Sequence, residues 1–178
     1  MKILGVGGTL RKGSFSKALL LEAQKLAPEG VVIEITETED FPLYNPDIPL
    51  PDNVQKFKKD IEEADAILFS TAEYNYSIPG SLKNAIDWAS RPYGDNSWEG
   101  KPAAIMSESI GMLGGVKAQY HLRQMMLFID IHPLNKPEVI VANAAEKFDK
   151  QGNLTDEHTK EKIKELLEAL VEWTKKLK

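Results

Sequence analysis

Gly7-Gly8-Thr9-Leu10-Arg11-Lys12-Gly13-Ser14-Phe15-Ser16-Lys17 joins a short run of β character, Lys2-Ile3-Leu4-Gly5-Val6, to apolar positions at Ala18, Leu19, Leu20, Ala23 and Leu26 that recur at helical spacing. A strand, a glycine-rich turn crowded with hydroxyls, one arginine and then a helix start is an arrangement that holds a phosphate. The first N–H groups of a helix have no intrahelical partner, and the helix dipole favours negative charge there. Thr9, Ser14 and Ser16 can donate hydroxyl hydrogen bonds, and Arg11 offers a fork of donors to two oxygens. The competing reading of this stretch alone is an ordinary βα turn with a serine N-cap.

Two better-known loops do not fit. Gly8 and Gly13 have the gap of a Walker A loop, but Ser14 stands where the lysine belongs. A G-x-G-x-x-G dinucleotide fingerprint starting at Gly5 and Gly7 meets Leu10 at its third glycine. Triphosphate chemistry and a Rossmann NAD site lose support, leaving a cradle for a single phosphate.

Composition narrows the class. A chain of 178 residues, 42% hydrophobic and 28% charged, is enough for a single domain, 1–178, with a core of its own. A net charge of −5 argues against nucleic acid or an anionic membrane as partner. The absence of cysteine removes disulfides, thiol chemistry and thiolate metal sites. No apolar run reaches membrane-span length and no signal-peptide pattern precedes the first strand, so the expected location is the cytoplasm.

Further along, 31–36 reads as a second strand, 52–63 as a helix, Asp65–Thr71 as a buried third strand and about 80–90 as a helix. Pro102–Ser107 is a fourth strand, about 115–128 a helix, and a fifth strand is divided between Ile131 and Glu138–Val141. The last helix begins at Thr155 and presents Ile163, Leu166, Leu167, Leu170, Trp173 and Leu177 on one face. Segment 40–51 carries four prolines among apolar residues and reads as a packed loop touching either a partner subunit or the rim of a site, with packing only within its own subunit as the competing reading. Alternation of strand and helix five times over predicts an α/β fold, an open parallel sheet with helices on both faces. Ligands in such folds lie beyond the C-terminal strand ends, near the reversal of strand order. The turns after strands one, three and four are therefore expected to converge.

The turn after strand three, Thr71-Ala72-Glu73-Tyr74-Asn75-Tyr76-Ser77-Ile78-Pro79-Gly80, suits a planar aromatic ligand such as an isoalloxazine. Tyrosine rings pack beside it, and Asn75 and backbone N–H groups reach its heteroatoms. After strand four, Ser107-Glu108-Ser109-Ile110-Gly111-Met112-Leu113-Gly114-Gly115 offers small residues for close backbone approach, which a flexible helix start explains nearly as well. His121 and His132 have no carboxylate or metal-ligand spacing nearby and read as structural, and no metal site is expected. Trp98 reads as a hydrophobic plug, with the border of a nicotinamide or acceptor pocket as the other reading.

With these residues in view, Gly8–Ser16 resembles the phosphate loop of the NADPH-dependent FMN reductase family. Glu73-Tyr74-Asn75-Tyr76-Ser77-Ile78-Pro79-Gly80-Ser81-Leu82-Lys83-Asn84-Ala85-Ile86-Asp87-Trp88 resembles its second signature. Gly114-Gly115 with Gln119-Tyr120-His121-Leu122-Arg123-Gln124 is similar to the third region in its soluble quinone and chromate reductase branch. The resemblance runs from about residue 1 to about 141. This chain has Thr9, Ser16 and Ala72 where the family usually has Ser, Asn and Pro.

The resemblance implies a flavodoxin-like three-layer sandwich with a five-stranded parallel sheet in the order 2-1-3-4-5. It also implies that Thr9, Arg11, Ser14, Phe15 and Ser16 surround the FMN phosphate, that Glu73, Tyr74, Asn75 and Tyr76 lie along the ring, and that Ser107, Ser109 and Gly111 lie near its other edge. FMN would be bound, NADH or NADPH the co-substrate, and a quinone or other small molecule the acceptor, in a homodimer or homotetramer. No side chain need be catalytic, because the flavin carries the chemistry. The alternatives are a flavin reductase supplying reduced FMN to a partner oxygenase, or a flavodoxin-type electron carrier.

Overall fold

A computed structural model describes residues 1–36 and 38–178. Its elements run β1 (Lys2–Gly7), α1 (Phe15–Lys25), β2 (Val32–Thr36), α2 (Asp52–Glu63), β3 (Ala66–Ala72), α3 (Gly80–Ala89), β4 (Pro102–Glu108), α4 (Val116–Phe128), β5 (His132–Pro133), β6 (Val139–Val141) and α5 (Glu157–Leu177). The strands pair in parallel in the order β2-β1-β3-β4-β5, and β6 also pairs with β4. The divided fifth position is as the sequence implies. β5 lies against Pro102 and Ala103 at the start of β4, and β6 against Met106 to Glu108 at its end.

Both faces of the sheet are covered, so its central strands are apolar throughout rather than alternating, and every residue of β3 and β4 is buried. Period-two geometry deals their side chains to two cores. Leu4, Val6, Ile67, Phe69 and Ile105 pack against Phe57 and Ile61 of α2, Leu82 and Ile86 of α3, and Leu122 and Met126 of α4. Ile3, Leu68, Ala104 and Met106 pack against Leu19, Leu20 and Ala23 of α1 and Ile163, Leu166, Leu167 and Leu170 of α5. Trp98 is fully buried in the first core, beside Phe57 and Phe69 at centroid distances of 5.7 and 5.6 Å, so it is a plug and borders no pocket.

Three local expectations shift. α5 starts two residues after Thr155, because Asp156 is the better N-cap and accepts from the Thr159 N–H at 2.9 Å, while the Thr155 hydroxyl bonds the Lys147 carbonyl. The apolar stripe of α5 also outruns the core, leaving Leu177 41% exposed. In segment 40–51, Phe41, Pro42 and Tyr44 pack against α2 and α3 of the same chain, while Leu43, Ile48 and Leu50 are exposed. Asn84 accepts from the Tyr44 N–H and donates to the Pro42 carbonyl, Trp88 donates to the same carbonyl, and Phe41 stacks at a tilt on Phe57.

The strand order reverses between β1 and β3, where the chain leaves β1 for one side of the sheet and returns on the other. That places the turns after β1 and β3 side by side at the C-terminal edge, with the turn after β4 next to them.

Candidate functional site

Gly8 fixes how closely the first two turns meet. Its N–H donates to the Ser70 carbonyl at 3.1 Å and its carbonyl accepts from the Ser81 hydroxyl at 3.1 Å. A Cβ there would lie 3.2 Å from Leu82 and 3.3 Å from the Thr71 hydroxyl, so glycine allows the approach. One step on, the Thr9 hydroxyl and the Tyr74 hydroxyl are 3.1 Å apart, a direct bond between the turns after β1 and β3.

Ser14 is the N-cap of α1. Its hydroxyl accepts from the Lys17 N–H and lies 2.7 Å from that of Ser16, which is fully buried. Arg11 is exposed at the mouth, its guanidinium 5.8 Å from the Phe15 ring centroid, and has no carboxylate within ion-pair distance among the described residues. Phe15 is itself stacked on Phe148 at 4.8 Å. A guanidinium without an ion-pair partner among the described residues and hydroxyls on one rim, at the start of a helix, form a donor set that matches an anion with several acceptor oxygens.

The turn after β3 is a tight hairpin. Tyr74 and Ser77 exchange both backbone hydrogen bonds, and Asn75 and Tyr76 between them sit at φ of 50° and 66°. Positive φ at both central positions is type I′ geometry. A tyrosine in that region carries backbone strain of about 1 kcal/mol, the kind of cost found where a turn is shaped for a ligand. The turn presents Tyr74 and Tyr76 to solvent at 47% and 63% exposure, and the Lys117 ammonium lies 3.0 Å from the Tyr76 ring centroid.

Glu73 does something the sequence did not disclose. α4 has a glycine N-cap, Gly115, with no side-chain bond of its own. Glu73 supplies one from the neighbouring turn, its carboxylate accepting from the Lys117 and Ala118 N–H groups at 3.0 and 3.3 Å. Ser107 is likewise engaged: it is fully buried, donates to the Gly114 carbonyl at 2.8 Å, and accepts from the Gln119 amide at 3.0 Å. Ser109 and Gly111 are held beside β6, where the Ser109 N–H donates to the Val141 carbonyl and the Gly111 carbonyl accepts from the Asn143 N–H.

Together the three turns enclose a cavity of about 200 Å³ lined by Thr9, Arg11, Ser14, Phe15, Ala72, Glu73, Tyr74, Glu108, Ser109 and Ile110. Seven of the twelve residues singled out from sequence are thus brought to one wall. The other five do not line it: Ser16 and Ser107 are fully buried, and Asn75, Tyr76 and Gly111 are exposed on the turns that form it. A larger groove along α2, of about 640 Å³, is lined by Gln55, Lys56, Lys59 and Glu62 and lies away from the strand ends.

Glu108 was missed. It ends an otherwise apolar strand, and burial pushes its carboxyl up to about 7 against the opposing pull of Arg11 and the Ser16 backbone. The available signal was positional: Ala104 and Met106 face α1, so the residue two further on faces the start of α1.

Comparison with known proteins agrees with this arrangement. The family model described as NADPH-dependent FMN reductase matches residues 1–146. An NAD(P)H-dependent FMN reductase of Pseudomonas aeruginosa is 49% identical, with 100% of this chain and 97% of that protein covered. An NAD(P)H:quinone oxidoreductase of Solanum tuberosum is 46% identical over 100% of this chain and 95% of its own. Among solved structures, FerB, a flavoenzyme NAD(P)H:(acceptor) oxidoreductase from Paracoccus denitrificans, superposes with a TM-score of 0.89 at 39% identity, covering 98% of this chain and 97% of that one.

Proposed function

The chain belongs to the NADPH-dependent FMN reductase family, and from that premise we propose that it passes electrons from NADH or NADPH to quinones or other small acceptors, with FMN seated at the cavity between the turns after β1, β3 and β4. It is an FMN-dependent NAD(P)H oxidoreductase. The observation that carries the placement is the meeting of three turns at the reversal of strand order, cross-linked by the Thr9–Tyr74 bond.

The residues fit the cofactor. Arg11, Thr9, Ser14 and the Ser16 amide hold the phosphate, with Phe15 walling it and the Ser16 hydroxyl bonded to that of Ser14. Tyr74, Asn75 and Tyr76 lie along the ring, and Ser109 and Gly111 at its far edge. Glu73 and Ser107 fix the two turns that carry these groups. When bound, FMN would supply the hydride and electron transfer that links the nicotinamide to the acceptor. The protein's part is to fix the ring beside the exposed Tyr74 and Tyr76 and to offer it backbone N–H groups of the turn after β3 other than that of Tyr74, which Ser77 holds.

The exposed apolar side chains Tyr120, Leu127 and Phe128 on α4 (57%, 83% and 74% exposed) are where a second copy would dock. Light scattering should accordingly give a mass of two or four chains. The purified protein should be yellow or become so with FMN, and NADH or NADPH under nitrogen should bleach it until a quinone restores the colour. Colourless protein unchanged by excess FMN would refute the reading.

A further inference from the structure

Glu108 puts a carboxyl on the floor of a cradle built for an anion. It is 5% exposed, lines the cavity together with Arg11, Ser14 and Ser109, and lies at the end of β4 on the face turned to the start of α1. The charged form has Arg11 and the Ser16 backbone to favour it, the same groups that would hold a phosphate. The other charged or titratable neighbours are Glu73 and Tyr74, from the turn after β3. β6, packed along the end of β4, brings only Val139, Ile140 and Val141.

A phosphate dianion has only acceptors. Beside it, an ionised Glu108 would be a second anion with no donor to give. A protonated Glu108 would have one O–H to donate and would leave Arg11 free. We infer that Glu108 is a proton-linked selector for the flavin phosphate: it takes up a proton as FMN binds, donates that proton in a hydrogen bond to a phosphate oxygen, and when ionised competes with phosphate for Arg11 and the Ser16 amide. The inference rests on the placement of the FMN phosphate at the start of α1. Its consequence is that the protein releases flavin more readily as the medium becomes alkaline, while riboflavin, which lacks the phosphate, is indifferent.

The sign follows from linkage. A group that is protonated in the complex but ionised without ligand above about 7 makes affinity fall with rising pH, by up to tenfold per pH unit. Fluorescence titration of the flavin-free full-length chain should therefore show the Kd for FMN rising at least ~10-fold between pH 7 and pH 9. Glu108→Gln keeps a donor and cannot ionise, so its Kd should move less than ~3-fold over that range, as should riboflavin binding to either protein. Calorimetry at pH 8 in buffers of different ionisation enthalpy should find more than about half a proton taken up per FMN by the parent chain and close to none by the variant. FMN binding with a flat pH profile, or with the same slope in both proteins, overturns the role of Glu108 alone. Folded protein that binds no FMN at any pH overturns the phosphate placement, and this inference with it. If Glu108→Gln does not fold, the proton count on the parent chain decides.

Discussion

At the scale of single residues, Arg11 and Glu108 are opposite charges lining the proposed phosphate cradle, and they pull in opposite senses. Arg11 is exposed, with no ion pair among the described residues to break in turning to a phosphate. A hydrogen bond to a charged group contributes about 1.5–3 kcal/mol, so Arg11→Ala should weaken FMN binding by ~10–100-fold. Turnover of flavin-saturated protein should change less than ~3-fold, because the proposed placement puts the guanidinium at the cofactor's phosphate tail, away from the reacting ring. Flavin retention on a desalting column, followed by turnover with added FMN, reads both numbers. Equal FMN affinity in parent and variant would remove Arg11 from the site. The sequence disclosed Arg11, since a lone arginine in a glycine- and hydroxyl-rich turn has few other uses. It did not disclose Glu108, because a carboxylate after six apolar or small residues reads as the polar end of a strand until the facing element is known.

At the scale of elements, the turns after β3 and β4 behave as one unit, and Glu73 is the fastening. Its carboxylate satisfies two first-turn amides of α4 that Gly115, without a side chain, leaves open. Losing a cap of this kind costs about 1–2 kcal/mol, so Glu73→Ala should lower the melting temperature by ~3–6 °C in a chain of this size. It should also loosen 109–115, seen as faster amide exchange at Gly114 to Ala118. Glu73→Gln retains an acceptor and should recover about half of the loss. This pairing was invisible in sequence, where Glu73 and Lys117 are 44 positions apart and the resemblance assigns Glu73 to the ring. What was legible is what depends on local periodicity: the five alternating units, the divided fifth strand, and the Ser14 cap. The fate of 40–51 was not legible, because prolines and apolar residues mark a packed loop without naming its partner, and Asn84 and Trp88 of α3 supply it.

At the scale of the whole molecule, Glu108 sets a pH dependence of stability opposite to that of the surface carboxylates. Asp156 is held below its usual range by the Thr159 hydroxyl, and Asp149 by Asn153; each contributes stability that is present at neutral pH and lost as the medium acidifies through its lowered pKa. Both are mostly open to water, and their contributions are small. Glu108 runs the other way. Its carboxyl rises from an ordinary 4.5 to about 7 through burial, so the folded chain holds a proton that the unfolded chain gives up. Its contribution is greatest below about pH 4.5, declines as pH rises from there to about 7, and is level above, a change of about 3 kcal/mol in all. Denaturant melts of the flavin-free protein should therefore place Glu108→Gln ahead of the parent chain by about 2–3 kcal/mol more at pH 8 than at pH 5. Saturating FMN should widen that gap, because the bound phosphate holds the proton on Glu108 to higher pH, so FMN adds less binding free energy to the parent chain at pH 8 than at pH 5 and adds the same to the variant at both. A gap between the two proteins that stays constant from pH 5 to pH 8 would mean that Glu108 ionises in the folded chain as it does in water, and that the floor of the cradle is wet.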